Sequence, residues 1–92
     1  MAAHGHPARA ASYNNMAATF HLEGQYEAAL ELFTKGLAIE IREHGPDHPA
    51  VAATYNNMAV VYFKQSKYGK ALELFEKCLA IEIKANGPDH QV

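Results

Sequence analysis

Apolar residues along this chain recur at steps of three and four positions, the spacing that places side chains on one face of an α-helix. Four such stripes follow one another, and they begin at Tyr13, Tyr26, Tyr55 and Tyr68. The strict alternation of apolar and polar residues that indicates a half-buried strand is missing. The pattern therefore predicts an all-α fold of four helices.

Proline and glycine mark where the predicted helices begin and end. Proline lacks an N–H, which the first helical turn does not need, so Pro7 and Pro49 are expected to begin the first and third helices. These helices then run to about Leu22 and Lys64, and polar turns at 23–25 and 65–67 precede the second and fourth helices. The dipeptide Gly45-Pro46 ends the second helix, because glycine adopts the left-handed conformation and proline cannot continue a helix.

The chain contains two copies of one 42-residue unit. When the sequence is offset by 42 positions, residues 6–50 align with residues 48–92, and 26 of the 45 pairs are identical. The copies span about 6–47 and 48–89, residues 90–92 are read as the start of a truncated third copy, and residues 1–92 are treated as one domain. Repeats of this length bury their apolar faces against one another. Because the turns are short, the helices within each copy must pack antiparallel.

Composition excludes several classes of protein. The net charge of −2 does not supply the basic face that nucleic acid requires. No apolar run approaches the roughly 20 residues that span a bilayer, and the N-terminus does not resemble a secretory signal. The single cysteine excludes an intrachain disulfide and suits a reducing compartment, so a cytoplasmic location is expected.

The repeated motif resembles the tetratricopeptide repeat. Its first copy reads Tyr13-x-x-Met16-Ala17-x-x-Phe20 in the first helix, helix A, and Tyr26-x-x-Ala29-x-x-x-Phe33 in the second, helix B. The unit length and the strings Tyr-Asn-Asn-Met-Ala, Ala-Leu-Glu-Leu-Phe and Gly-Pro-Asp-His resemble the kinesin-light-chain and nephrocystin type. The resemblance implies four antiparallel helices that form a short right-handed α-solenoid segment. The chain departs from the family pattern in small ways, at Gly36, Cys78 and Ser66.

The resemblance also implies a groove, lined by helix A of each copy, that takes an extended peptide or a partner helix. It places there Asn14, Asn15, Ala18, His21 and Leu22 of the first copy, and Asn56, Asn57, Val60, Phe63 and Lys64 of the second. Asparagine is a poor helix former, so its repetition within a helix suggests that its side-chain amide forms hydrogen bonds important for packing or binding.

The asparagine pairs allow two interpretations. One amide of each pair could bond between neighbouring helices and only set their packing, while the other contacts a ligand. We expect Asn15 and Asn57 to be groove contacts, and leave Asn14 and Asn56 open between the two roles.

The residues do not indicate catalysis or a cofactor. Six histidines raise the possibility of a metal site, but the repeated Asp-His pairs are better explained as helix starts, with a polar side chain capping the first turn before Pro49. Cys78 has no base at a fixed spacing that would activate it. Phosphate loops, catalytic triads and paired carboxylates are not evident in the sequence. We therefore expect neither an enzyme nor a metal or cofactor.

Two functions remain. The first is a protein–protein interaction scaffold that binds a peptide or helix of unknown identity in the helix-A groove, as a fragment of a longer array. The alternative is self-assembly into a homo-oligomer, by end-to-end stacking or exchange of helices. It is suggested by apolar residues of the last helix that packing within one copy does not cover, namely Leu74, Leu79, Ile81 and Ile83. The opposite net charges of the two copies also favour end-to-end contact. Neither function involves nucleic acid or a membrane.

Overall fold

The computed structural model describes residues 9–87, and within them every regular element is a helix. The helices are α1 (Ala10–Leu22), α2 (Tyr26–His44), α3 (Pro49–Lys64) and α4 (Tyr68–Asn86). The all-α prediction is thus confirmed. Pro49 is the first residue of α3, as predicted. The start predicted at Pro7 lies outside the described residues.

The helices pack in chain order, α1 on α2, α2 on α3 and α3 on α4. Each repeat is therefore one helix pair, and the contact between α2 and α3 joins the two repeats. Ala17, Ala29, Ala59 and Ala71 are buried in the four helices. Their small side chains allow the backbones of the paired helices to approach closely.

Two apolar clusters form the core. The first contains Ala17, Ala29 and Phe33 of repeat 1 together with Met58 and Val61 of α3, so it crosses the boundary between the repeats. The second lies at the other end of the helices and is formed by Val51, Ala52, Cys78 and Ile81.

Two of the residues expected to be uncovered on α4 are covered within the chain. Ile81 is buried in the second cluster, and Leu74 packs against the first. Leu79 and Ile83 remain exposed, as expected. The difference arises because α3 covers the side of α4 that carries Leu74 and Ile81.

The turns follow the pattern that glycine and polar residues predict. Gly24 and Gly45 have positive φ values of 81° and 89°. Ser66 occupies the position equivalent to Gly24 and has the same left-handed backbone, with φ 64°. The Nδ1 atom of His48 accepts a hydrogen bond from the Ala50 N–H at 3.0 Å. This bond confirms that a polar residue before Pro49 caps α3.

Candidate binding surface

The residues predicted to line a groove lie at helical spacing along α1 and α3. On α1, Asn15, Ala18 and Leu22 are exposed, and Leu22 has 87% of its surface accessible. The exposed residues on α3 are Asn56, Asn57, Phe63 and Lys64. His21 and Val60 are half-buried. All of these predicted residues except Asn14 are at least partly accessible to solvent and form no hydrogen bond between helices within residues 9–87.

Asn14 links three helices instead of facing solvent. Its amide nitrogen donates to the carboxylate of Glu40 in α2 at 3.0 Å and to the hydroxyl of Thr54 in α3 at 3.4 Å. The Thr54 hydroxyl in turn donates to Glu40 at 2.6 Å. Glu40 is only 6% exposed. A carboxylate so placed is tolerated when donors such as these satisfy it. The Asn14 amide therefore serves helix packing.

Gly36 makes the network possible. A Cβ atom at position 36 would lie 2.5 Å from Oδ1 of Asn14, which is too close for any side chain to fit without a shift. Repeat 2 has Cys78 at the equivalent position, and its thiol donates to Glu82 at 3.6 Å. Asn56, the equivalent of Asn14, is exposed. The two identical asparagine motifs thus have different environments, since repeat 2 has Cys78 at the position of Gly36 and, within residues 9–87, no further helix to supply a hydroxyl like that of Thr54.

Aromatic pairs lie where helix A turns into helix B in both repeats. The rings of His21 and Tyr26 are 5.7 Å apart, and those of their equivalents Phe63 and Tyr68 are 5.4 Å apart in an edge-on arrangement. Phe63 is 55% exposed. Two exposed apolar side chains, Leu22 and Phe63, therefore lie near the C-terminal ends of α1 and α3.

Two equivalent clefts were not predicted from the sequence. One, of about 490 Å³, lies between the start of α1 and the end of α2 and is lined by Ala10, Ala11 and Glu40, among others. Its equivalent in repeat 2, of about 240 Å³, is lined by Ala52, Ala53 and Glu82. The repetition of Glu40 as Glu82 in the string Leu-Ala-Ile-Glu-Ile was the sequence signal for these clefts.

Comparison with known proteins bears directly on this architecture. The family model of the tetratricopeptide repeat matches residues 8–84. The chain belongs to the tetratricopeptide repeat family. Such repeats are generally protein-interaction scaffolds and typically non-catalytic.

A solved tetratricopeptide repeat structure gives the same result. It is described as a Podosopora anserina putative kinesin light chain with nearly identical TPR-like repeats, and it matches with a TM-score of 0.72 and 30% sequence identity. The match covers 90% of this chain and 39% of that one, so this chain corresponds to well under half of that protein. The resemblance to the kinesin-light-chain type is thus confirmed. A search of curated proteins finds no match.

The tetratricopeptide scaffold holds its cysteine in an unreactive setting. Cys78 is buried, and burial raises the pKa of its thiol above the ordinary 9.0, with the negative charge of Glu82 and the hydrogen bond to it adding to the rise. A thiol that keeps its proton is a poor nucleophile.

Metal-binding side chains do not converge within residues 9–87, where no group of three His, Cys, Asp or Glu residues could hold an ion. His4, His6, Asp89 and His90 lie outside the part of the chain that the structure describes. Within the same residues, the helices of this tetratricopeptide chain are too short or too polar for any to cross a membrane.

Proposed function

We propose that this chain binds an extended peptide or a partner helix on the exposed row of α1 and α3. We call this row the helix-A surface, and it consists of Asn15, Ala18, His21, Leu22, Asn56, Asn57, Val60, Phe63 and Lys64. The observation that carries the proposal is the exposure of Asn15 and Asn57 at equivalent positions inside two helices. Asparagine costs helix stability there, and neither side-chain amide has a role in the helix packing described above.

The chemistry of the surface suits a peptide backbone. Each side-chain amide offers two donors and one acceptor, so it can bond a main-chain carbonyl and N–H whatever side chains the ligand carries. Leu22 and Phe63 add exposed apolar side chains near the ends of α1 and α3. Lys64 is exposed at the end of α3 and would favour an acidic group on the ligand.

Asn14 is left out of the helix-A surface, since its side-chain amide donates to Glu40 and Thr54. Asn56 is kept, because it is exposed. The two members of the first asparagine pair are therefore assigned different roles.

A peptide-display library selected on the folded chain provides the test. For the tightest selected peptides, the double variant Asn15→Ala/Asn57→Ala should bind about tenfold more weakly, since two hydrogen bonds of about 0.5–1.5 kcal/mol each are lost. Helix content measured by circular dichroism should not change. The matched control is Glu31→Ala/Glu73→Ala, which alters two exposed, equivalent residues of the helices B.

The comparison of the two double variants decides the outcome. Equal binding by the asparagine variant and the unaltered chain would show that the peptides bind elsewhere. A larger loss of peptide affinity in the glutamate variant would show that the peptides bind the surface formed by α2 and α4.

Self-assembly of the chain remains a second candidate, and one observation favours it. Leu72, Leu79 and Ile83 of α4 are large apolar residues with 43–60% of their surface exposed. The opposite end of the molecule is less suited to such a contact, because α1 and the residues that flank it expose the polar side chains of Arg9, Thr19 and Glu23. Sedimentation of the purified chain over a range of concentrations tests this candidate, and a monomer throughout would contradict it.

A further inference from the structure

The outer side of α4 repeats the surface with which α2 holds α3. Four exposed large residues lie along it: Tyr68, Leu72, Leu79 and Ile83. Their equivalents in α2, 42 positions earlier, are Tyr26, Leu30, Leu37 and Ile41. All four of these pack against core clusters that include α3 residues, and all are at least partly buried. The chain therefore presents a second copy of its own interface between repeats.

We propose that this surface binds the first helix of a further repeat and selects a helix with a hydroxyl at the position of Thr54. We call it the α4 face and define it by Tyr68, Leu72, Leu79, Glu82 and Ile83. The proposal is separate from the helix-A surface, since none of these residues belongs to that row.

Glu82 supplies the selectivity for a hydroxyl. In the interior, one oxygen of the Glu40 carboxylate accepts from Asn14 and the other from the Thr54 hydroxyl. At the α4 face, one oxygen of Glu82 accepts from the Cys78 thiol. Within residues 9–87, no hydrogen bond to its other oxygen is formed. A serine or threonine on the incoming helix would complete the same arrangement.

The fitting helix can be specified from α3. The residues of α3 that are buried at steps of three and four are Val51, Thr54, Met58 and Val61. An apolar residue, a hydroxyl, a methionine and another apolar residue at this spacing therefore complement the α4 face. The buried methionine and valines supply apolar contact, and the hydroxyl fixes the position along the helix axis.

A second copy of this chain meets that specification only in part. The equivalent residues are Ser12, Met16 and Thr19 of α1 and Arg9 immediately before it, and all are exposed. Ser12 and Met16 keep the hydroxyl and the methionine. Arg9 and Thr19 replace valines that are fully buried in the interior interface. Burying a guanidinium and a second hydroxyl in their place carries a desolvation cost, so the α4 face favours a repeat that has apolar residues there.

The first experiment covers the α4 face covalently. A three-repeat chain is made by joining a second copy of residues 46–87 directly after Gly87. In this chain Glu82→Ala, made in the second repeat only, should lower the urea midpoint of unfolding, and Glu40→Ala should do the same in the two-repeat chain. In the two-repeat chain Glu82→Ala should leave the midpoint nearly unchanged, because the carboxylate there has no incoming hydroxyl. An unchanged midpoint for Glu82→Ala in the three-repeat chain would overturn the proposed role of Glu82.

The second experiment tests binding between separate molecules. The probe is this chain with Arg9→Val and Thr19→Val, which give α1 the apolar residues of α3, and with Leu79→Lys, which blocks its own α4 face. In sedimentation velocity, the probe and the unaltered chain should form a one-to-one complex. Ser12→Ala in the probe should weaken that complex about tenfold, the loss of one hydrogen bond to a charged group. Leu79→Lys in the unaltered chain should abolish it.

Each remaining outcome contradicts the proposal. A probe that is folded by circular dichroism but forms no complex would show that the α4 face does not take such a helix. If Ser12→Ala left the affinity of the complex unchanged, the α4 face would not select a hydroxyl. If the unaltered chain paired with itself as tightly as with the probe, the occupant would be a second copy, and the preference for apolar residues would be wrong.

Discussion

At the scale of single residues, the buried Glu40 carboxylate decides how three helices meet. It lies in α2 and receives one hydrogen bond from α1, through Asn14, and one from α3, through Thr54. Removing one member of a buried polar network leaves its partners unsatisfied, which costs about 1–3 kcal/mol. The network requires that position 36 carry no Cβ, because Oδ1 of Asn14 occupies that space. The effect of adding a Cβ on the free energy of unfolding can be measured.

A double-mutant cycle between positions 14 and 36 isolates this dependence. Replacing a glycine inside a helix by alanine ordinarily stabilises by about 0.5–1 kcal/mol. For Gly36→Ala alone we expect no gain or a net loss in the free energy of unfolding, because the added methyl displaces the Asn14 amide from Glu40 and Thr54. In the Asn14→Ala background the same change should stabilise. Urea denaturation of the four chains measures both effects.

Gly69→Ala serves as the control for this cycle, since an added Cβ there meets nothing within 4 Å. It should change the free energy of unfolding equally with either residue at position 14. If Gly36→Ala destabilises equally in both backgrounds, the constraint comes instead from the backbone oxygen of Ala10, which would lie 3.3 Å from the new Cβ.

Cys78 gives the protein a component of stability that depends on pH. Burial, followed by the charge of Glu82, raises the pKa of its thiol above 9.0 in the folded chain. The folded state thus holds the proton more tightly than the unfolded state. This component is fully present below pH 9 and is lost as the pH rises through the folded pKa. We expect the unfolding free energy of the unaltered chain to fall more between pH 8 and about 10.5 than that of Cys78→Ala. Parallel profiles for the two chains would refute the assignment.

At the scale of elements, the turns between helices A and B differ in one residue that carries strain. Gly24 and Ser66 both have a left-handed backbone, with φ 81° and 64°. That conformation costs a residue with a Cβ about 1–2 kcal/mol and costs glycine almost nothing. Ser66→Gly should therefore raise the thermal midpoint, and Gly24→Ser should lower it. A shift of the same sign in both variants would show that another property of the serine governs the turn.

The helices themselves were largely predictable from local sequence. Pro49, Gly45 and the polar turns fix the bounds of α2 and α3, since each of these residues acts through its own backbone conformation or capping bond. The 42-residue repetition then sets the pairing of helices. Exposure on α4 was less predictable, because Leu74 and Ile81 are covered by α3 and that coverage depends on how the helices rotate against each other.

The candidate site was predictable only in part, for a related reason. The motif identifies both asparagine pairs, but it does not indicate which amide turns inward. That choice depends on other helices, which supply the missing Cβ at Gly36, the carboxylate of Glu40 and the hydroxyl of Thr54. The roles of Asn15 and Asn57 as ligand contacts stay predictions, which the peptide selection tests.

At the scale of the whole molecule, stability is expected to be greatest in the middle of the helix stack. The helices form an elongated body of 51 × 32 × 16 Å. α2 and α3 each pack against two neighbours, whereas α1 and α4 pack substantially against one. In α1, only Ala17 is buried, while α3 contributes Val51, Thr54, Val61 and others to the interior. In stacked repeats, each interface adds to the stability of the two units that share it.

Native-state hydrogen exchange measures this gradient directly. Amides in α2 and α3 should exchange with free energies near that of global unfolding, and those of α1 should exchange most rapidly. Uniform protection across the four helices would show that the two repeats unfold as one cooperative unit. In the three-repeat chain, the amides of α4 should become as well protected as those of α2.

The difference between Gly36 and Cys78 also has a consequence for how duplicated repeats diverge. A Cβ at position 36 would lie 2.5 Å from Oδ1 of Asn14, so the residue at this position of helix B limits whether the first asparagine of helix A can bond between helices. In engineered arrays in which every unit is followed by another, we therefore expect glycine at this position to let that amide bond inward and a residue with a Cβ to displace it. The Asn-Asn motif itself would remain constant in every unit.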